Sequence, residues 1–424
     1  MSEYQSFNRS ALGYSHIKKG TVCQDFSGSW DEGDVHIAVV SDGHGQSTSF
    51  RSDTGSRMAV ETAMEVLKSF AEFLRNQEEL LFQPEEQNSL LRKMADKVVR
   101  RWQSSVWQHW QENPFAEEEY ALAGEMADVF RAGKNILHVY GATLIAALVT
   151  PKYLLVMHQG DGRCVVIQEN GRTDQPVPWD SRCVGNVCTS LCHSDAAESC
   201  RFYVQDLREN KIAACYVTTD GVEDCFLDAT GLNAFFCDLT SRFARDGDSV
   251  QHVLADLLPV MSKTGSADDA SVAAVVNRQA AVVIADRLRL VGQFHRCRTE
   301  LHNARNKLDS MERKLEYLKK KYQDTVKGYG TVLPGAWQNP SDPERMVQDA
   351  GREYDLYVER YDRFRNQAKT ARAEALRILH VMQLLECSAL LEVDAAELSF
   401  IQQKLRKKTG KHLQFPVNSA QGEN

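Results

Sequence analysis

The sequence HIAVVSDGHGQSTSF, residues 36–50, decides the fold of this protein. Its residues 37–40 are an unbroken apolar and β-branched run, which predicts a short buried strand. Asp42 and Gly43 follow directly, so the strand delivers a carboxylate to the sheet edge, and glycine lets the backbone approach a ligand. An isolated Asp-Gly pair is more often an ordinary turn. Carboxylate and carbonyl oxygens nevertheless suit Mg²⁺ and Mn²⁺, so a cation site is the hypothesis to test along the chain.

The overall composition is typical of a soluble globular protein of two or three domains, since the chain has 424 residues and 43% hydrophobic content. A net charge of −8 argues against nucleic acid or a membrane surface as a general partner. No apolar run approaches the roughly 20 residues that cross a bilayer. The N-terminal sequence lacks a secretory pattern, so we expect a cytoplasmic protein whose eleven cysteines are reduced.

A cluster of thiols between residues 183 and 200 raises the alternative of a zinc site. The cysteines lack the paired CxxC spacing of structural zinc sites, so scattered core or loop residues are the preferred interpretation. The cluster consists of Cys183, Cys188, Cys192, His193 and Cys200.

The pattern of a strand next to an aspartate recurs three times downstream. Asp161 follows the predicted strand 152–158, Asp220 follows the predicted strand 213–218, and Asp268 precedes a predicted strand at 271–276. Each aspartate alone is a turn residue by default. Four of them at strand ends of one domain predict an oxygen-ligand cation cluster, because converging carboxylates need cations to compensate their charge.

The remaining segments are assigned from periodicity. Residues 1–35 read as β-structure with turns, and a helix carries an apolar stripe from Met58 to Phe70, with Ser52 or Asp53 as its cap. Residues 75–132 continue as helix, residues 172–200 read as a long surface loop, and two helices are expected near 228–245 and 248–262.

Five motifs in order, DGHG, YGAT, GDGR, TTDGVED and DDAS, closely resemble the metal-dependent PPM family, the protein phosphatase 2C type, in its bacterial branch. The resemblance covers about residues 10–278. It implies an α+β fold, a four-layer α-β-β-α sandwich of two antiparallel sheets flanked by helices. It also implies a protein serine/threonine phosphatase that hydrolyses phosphoserine and phosphothreonine with a water activated by two Mn²⁺ or Mg²⁺ ions.

The resemblance assigns cation ligands by motif. Asp42 is expected to bridge both ions and to take part in catalysis, and the Gly43 carbonyl is expected to bind one ion. Asp220 and Asp268 are expected to complete the coordination of the first ion. Asp161, with Asp220, matches the acids that hold a third, weaker ion in bacterial relatives.

Two further residues receive roles from the same resemblance. His44 matches the histidine thought to give a proton to the leaving serine or threonine oxygen. Thr143 matches the threonine of a GxT motif that supports the site from behind. The GDGR motif keeps its aspartate but lacks the serine usual in the family.

The N-terminal part departs from the family pattern. The family usually has Glu-Asp where this chain has Gln24 and Asp25, so the second ion is expected to be held more weakly or through waters. Many relatives carry an arginine that clamps phosphate where this chain has Gly20. Lys19 is the residue we name as its replacement, with the neighbouring lysine and His16 also close.

Residues 280–424 lie outside the resemblance, so we predict a phosphatase domain at 1–279 and a helical extension at 280–424. Two stripes at heptad spacing, from Phe294 to Tyr322 and from Tyr354 to Ala389, flank the turn-rich linker 328–343. They predict an antiparallel coiled-coil hairpin with a first helix of about 40 residues. Such an arm either packs on itself or serves self-association or partner docking.

Two functions compete at this stage. The first is a phosphatase that acts on a phosphoprotein and opposes a cognate kinase. The second is a catalytically weak, phosphatase-like scaffold that binds a phosphoprotein or kinase through its helical arm. Retention of all four aspartates favours the enzyme, whereas Gln24 and Gly20 keep the scaffold open.

Overall fold

A computed structural model of the protein describes residues 3–185, 187–247, 249–331, 342–393 and 395–402. The chain divides into two compact units, residues 1–289 and residues 290–424. Each unit is described separately below.

The first unit contains two five-stranded sheets in which every recorded pairing is antiparallel. One sheet has the order β1-β10-β9-β6-β7 and the other the order β2-β3-β4-β5-β8. The strands are β1 Tyr4–Ala11, β2 Phe26–Glu32, β3 Val35–Ser41, β4 Leu144–Val149, β5 Tyr153–Gln159, β6 Arg163–Gln168, β7 Thr173–Asp174, β8 Arg201–Asp206, β9 Ile212–Thr218 and β10 Ala270–Asn277.

Helices occupy most of the remaining described residues. They are α1 Tyr14–Lys19, α2 Ser52–Leu74, α3 Pro84–Glu112, α4 Glu117–Leu122, α5 Ala127–Arg131, α6 Ile136–Val139, α7 Ala196–Ser199, α8 Asp220–Glu223, α9 Ala229–Asp246, α10 Ser249–Thr264, α11 Arg278–Thr331, α12 Asp342–Leu384 and α13 Ala395–Gln402. Three short 3₁₀ helices span Glu78–Phe82, Gly124–Met126 and Ser388–Leu391.

The period-two alternation of β3 explains how the layers stack. Ile37 and Val39 lie in one apolar cluster with buried residues of α2 and α3. Ala38 and Val40 lie in the other cluster, which joins the two sheets. Because both faces of this strand are covered, its sequence is continuously apolar rather than alternating.

Aromatic packing covers the outer face of the first sheet. The ring of Tyr216 in β9 stacks on Phe236 of α9 with centroids 4.4 Å apart, and Phe7 of β1 stacks on Phe243 at 5.6 Å. Helices therefore flank both sheets, and the predicted four-layer α-β-β-α sandwich is confirmed.

Strand ends position the residues of interest. Thr218 of β9 pairs with Val272 of β10, so the end of one strand and the start of the next lie at the same sheet edge. Asp220 begins α8 directly after β9, and Asp42 directly follows β3.

Three local expectations needed correction. α1 forms within the segment expected to be β-structure and turns. The segment 75–132 is not one helical stretch, because Asn113–Ala116 interrupts it between α3 and α4. α2 is not capped by Ser52 or Asp53: the helix begins at Ser52 with Arg51 as its N-cap, and the Ser52 hydroxyl instead accepts a hydrogen bond from the Gln24 side chain at 2.8 Å.

The second unit contains an antiparallel helical pair. Lys321 of α11 forms an ion pair with Glu353 of α12 at 2.7 Å, whereas Glu312, earlier in α11, accepts a hydrogen bond from Tyr361, later in α12. The predicted antiparallel hairpin is thus confirmed, and α11 is longer than expected at 54 residues. Coiled-coil packing stays a prediction, and residues 332–341 of the predicted linker lie outside the described residues. The buried positions include Leu301, Ala304, Met311, Leu318, Ala371, Ala375, Ile378 and Met382.

Candidate metal centre

A cavity of about 460 Å³ opens where these strand ends meet. It gathers acidic, imidazole and amide side chains from segments more than 200 residues apart in sequence. Its lining residues are His16, Gln24, Asp42, Gly43, His44, Gly45, Gln46, His138, Asp161, Gly185, Val187, Cys188, His193, Asp220, Asp268 and Asp269.

Three carboxylates converge in this cavity. Oxygen atoms of Asp42, Asp161 and Asp220 all lie within 4.8 Å of one another. Burial, followed by repulsion from Asp161 and Asp268, raises the pKa of Asp220 to about 7, and burial together with Asp220 raises that of Asp42 well above its ordinary value. Carboxyl groups held this close with no cationic side chain among them disfavour ionisation, so a bound cation would relieve a real electrostatic cost.

Thr143 fixes the backbone that carries Asp42. The Asp42 N–H donates to Thr143 Oγ1 at 3.0 Å, and the Thr143 N–H donates to the Asp42 carbonyl at 2.8 Å. The Ser41 hydroxyl donates to the Thr143 carbonyl at 2.6 Å. Thr143 is buried behind the cavity rather than in its wall, and it holds the end of β3 from there.

Close backbone approach explains two motif glycines. A Cβ on Gly43 would lie 2.6 Å from the carbonyl oxygens of both Gln24 and Ser52. A Cβ on Gly162 would lie 2.3 Å from the carbonyl oxygen of Thr218 in β9. Contacts this short are not seen for real Cβ atoms, so the missing serine of the GDGR motif has a local steric cause.

The two adjacent aspartates before β10 have different surroundings. Asp268 lines the cavity, and its Oδ1 accepts the Asp269 N–H at 2.8 Å. Asp269 is buried and accepts the N–H groups of Gly13 at 2.5 Å and Gln24 at 2.6 Å. Both aspartates line the cavity, and Asp269 also ties the N-terminal segment to the strand edge. Asp268 does not join the group of three carboxylates within 4.8 Å.

Gln24 and Asp25 take up different positions. Gln24 lines the cavity, and its side-chain amide donates to Ser52 Oγ at 2.8 Å and to the His44 carbonyl at 3.3 Å. Asp25 does not line the cavity; it is buried and accepts the Thr219 hydroxyl at 2.7 Å. Burial, followed by the nearby Asp269 carboxylate, raises the pKa of Asp25 well above its ordinary value.

His44 lies among other imidazoles. Burial, followed by the neighbouring His138 and His193, lowers the pKa of His44 to about 4. Its Nε2 lies 3.9 Å from Cys188 Sγ. Gly141 leaves space for this ring, since a Cβ there would be 2.6 Å from His44 Nδ1.

Lys19 is an exposed residue at the end of α1 and does not line the cavity. His16, one turn earlier in the same helix, does line it. From the sequence, both residues were expected near a possible phosphate. Only the helix at residues 14–19 shows which of the two side chains lines the cavity.

Several lining residues were not predicted for the site, namely Gln46, His138, Val187, Cys188, His193 and Asp269. His16 was mentioned only as lying close to the expected phosphate. Cys188 and His193 belong to the segment considered for zinc. Among the described residues, the only group of three or more histidines, cysteines or acids with metal-binding proximity is the aspartate triad, so no thiol-based site is assembled there.

An antiparallel sandwich with a carboxylate-lined cavity at its strand ends is the architecture that the resemblance to the metal-dependent phosphatases implies. A family model described as protein phosphatase 2C matches residues 12–259, more than half of the chain. The chain belongs to this family and is a protein serine/threonine phosphatase. A search of curated proteins found no match.

Solved structures with a similar chain trace include three bacterial-type phosphatases. A bacterial serine phosphatase is 16% identical, covering 64% of this chain and 97% of its own, with a TM-score of 0.41. The S. agalactiae serine/threonine phosphatase is 14% identical over 64% and 99%, with a TM-score of 0.40. The catalytic domain of the serine/threonine protein phosphatase PstP, in complex with two manganese ions, is 15% identical over 64% and 97%, with a TM-score of 0.38.

In the described part of the chain, we find no helix with the length and apolar character of a membrane span.

Proposed function

We propose that this protein hydrolyses phosphoserine and phosphothreonine at a centre of two Mn²⁺ or Mg²⁺ ions, with a third, weaker site. The observation that carries the proposal is the half-buried triad of Asp42, Asp161 and Asp220, whose oxygens lie within 4.8 Å of one another. The donor set contains only oxygen, which suits hard cations rather than zinc or copper.

The proposed ligand roles are those of the family motifs, and all of these residues line the cavity. Asp42 would serve both ions, the Gly43 carbonyl would bind one, and Asp220 and Asp268 would complete the first. Asp161 would hold the weaker ion with Asp220. Bound there, the cations would supply a water nucleophile at neutral pH and neutralise charge on the phosphoryl oxygens.

His44 is the proposed proton donor to the leaving oxygen. Its half-buried ring is neutral at pH 7, because desolvation lowers its pKa to about 4. A phosphate dianion next to the ring favours the protonated form. The imidazolium can then give its proton to the serine or threonine oxygen as the P–O bond breaks.

The substrate is proposed to be a phosphoprotein modified by a kinase that this enzyme opposes. The sandwich at 1–279 would carry the chemistry, and the helical extension at 280–424 would serve self-association or docking of a partner. A catalytically weak scaffold remains the second candidate, because the Gln24 side chain is neutral and engaged by Ser52 and the His44 carbonyl.

One experiment separates the two candidates. Hydrolysis of p-nitrophenyl phosphate and of a phosphothreonine peptide is measured with Mn²⁺, with Mg²⁺ and with EDTA. The enzyme predicts turnover that depends on cation and disappears in EDTA. Phosphopeptide binding with no cation-dependent turnover would instead favour the scaffold.

A further inference from the structure

All basic side chains that line the cavity are imidazoles. Five aspartates and four histidines line it, whereas no lysine or arginine does so among the described residues. A phosphate monoester brings further negative charge to this acidic surface. Apart from the weakly donating Cys188 thiol, the donors to its oxygens among the lining residues are the histidines, the two glutamines and backbone N–H groups.

His16 differs from the other three histidines in its neighbours. Its Nδ1 lies 2.9 Å from Asp269 Oδ1, within ion-pair distance, and its side chain is 12% exposed. By contrast, His138 Nε2 lies 3.1 Å from the Thr48 hydroxyl, and His44 Nε2 lies near Cys188. His16 is the lining histidine next to a buried carboxylate.

The carboxylate beside His16 is itself held rigidly. Asp269 is buried, and its two oxygens accept the backbone N–H groups of Gly13 and Gln24. Gly13 is the N-cap residue of α1, the helix that carries His16. The carboxylate of Asp269 is therefore fixed relative to the cavity wall before any substrate binds, and the ring of His16 lies beside it.

The ring of His16 is close to the cation site without being part of it. His16 lines the same cavity as the three converging carboxylates, but its nitrogens are not among the ligand atoms that lie within 4.8 Å of one another. A group at this position is suited to contact a ligand that extends from the cations toward the cavity wall.

We propose that His16 binds the phosphoryl oxygens of the substrate through its Nε2–H, with Asp269 holding the ring in place. This inference rests on the proposed function and adds the group that recognises phosphate. An imidazole Nε2–H can donate to a phosphoryl oxygen, while Nδ1 of the same ring lies 2.9 Å from Asp269 Oδ1. His16 is thus a binding residue rather than a cation ligand.

The first test compares variants by steady-state kinetics at saturating Mn²⁺. His16→Ala should raise KM for p-nitrophenyl phosphate and the inhibition constant of inorganic phosphate in parallel, by about 10- to 100-fold for loss of a charged hydrogen bond. The Mn²⁺ concentration for half-maximal activity should not change. His16→Arg, which keeps a cationic donor, should retain KM within a few-fold. His252→Ala, at an exposed histidine of α10, is the matched control and should match the wild type.

A second readout does not depend on turnover. In NMR spectra of protein labelled with ¹⁵N at its histidine side chains, addition of inorganic phosphate and Mg²⁺ should shift one imidazole resonance. That resonance should be absent from the spectrum of His16→Ala. An unchanged KM and inhibition constant in His16→Ala would overturn the inference, as would a raised Mn²⁺ requirement with unchanged phosphate affinity. A larger KM effect from Lys19→Ala would also overturn it. A wild type without cation-dependent turnover would refute the proposed function, and the imidazole shift would then decide the phosphate contact alone.

Discussion

The cavity contains two electrostatically distinct groups that the chain builds in different ways. The acidic group is Asp42, Asp161, Asp220 and Asp268, and each member lies at or beside a strand end. The imidazole group is His44, His138 and His193 with Cys188. His138 lies in the short helix α6, whereas the other three lie in irregular segments. Burial raises the pKa of Asp42, Asp161 and Asp220, and repulsion from other cavity carboxylates adds to the effect at Asp42 and Asp220. Burial lowers the pKa of His44 and His138.

The comparison teaches that burial disfavours the anionic forms of Asp42, Asp161 and Asp220 and the cationic forms of His44 and His138. A cation restores the charge of the acidic group, and a phosphate dianion restores that of the imidazole group. Substrate and cation would therefore each stabilise ionised side chains that the cavity by itself disfavours. The variants below test whether the two groups have separate tasks.

The largest effect is expected in the acidic group. Asp220→Asn removes one carboxylate of the triad and should lower kcat/KM by more than about 100-fold. Loss of a residue that only supports a metal ligand typically costs about 10- to 100-fold, and loss of a ligand should cost more. Mn²⁺ affinity, measured by calorimetry, should fall with it. Asp286→Asn, at an acid of α11 that is 85% exposed, is the matched control. Full Mn²⁺-dependent turnover in Asp220→Asn would contradict the assignment.

The imidazole group should instead respond to the leaving group. His44→Asn should reduce kcat for a phosphoserine peptide by about 100-fold, since general acid catalysis typically contributes 10²–10⁴-fold. The loss should be much smaller for p-nitrophenyl phosphate, because p-nitrophenolate leaves without a proton. Equal losses for both substrates would mean that His44 does not protonate the leaving oxygen. Unchanged Mn²⁺ affinity would separate this variant from Asp220→Asn.

An intermediate effect is expected for the contact behind the acidic group. Thr143→Val keeps the side-chain volume but removes the oxygen that accepts the Asp42 N–H, so kcat/KM should fall by about 10-fold. Thr143→Ser, which keeps the hydroxyl, should recover most of the activity. Loss of activity in Thr143→Ser as well would show that the methyl group is also required, in the tight contact with Gly160, where an added Cβ would lie 2.6 Å from Thr143 Cγ2.

The positions of the acidic group could be predicted from the sequence, because a strand followed by Asp-Gly is a local pattern. Asp42, Asp161, Asp220 and Asp268 could all be located from apolar runs that end at a carboxylate. Only the fold, however, separates Asp268 from Asp269, since both acids precede the same strand. The family pattern grouped Gln24, Asp25 and Thr143 with the site, whereas in the fold Asp25 and Thr143 lie behind the cavity wall.

The imidazole group and His16 could not be derived in this way. His138 lies in the four-residue helix α6, and Cys188 and His193 lie in the long segment between β7 and β8. Their approach to His44 depends on how that segment returns over the cavity, which no periodicity encodes. α1 escaped prediction because it has six residues, no side-chain N-cap hydrogen bond and no fully buried residue.

The smallest effect concerns the backbone that presents Asp161. Gly162→Ala places a methyl group 2.3 Å from the Thr218 carbonyl, so β6 and β9 must shift, which should destabilise the protein by about 1–3 kcal/mol. Gly328→Ala is a control of opposite sign, because this helical glycine has open space and alanine favours helix by about 1 kcal/mol. Thermal unfolding followed by circular dichroism measures both. If Gly162→Ala kept its stability but lost Mn²⁺ affinity, the strain would be confined to the Asp161 turn, and the acidic group would depend on that turn more than on the strands.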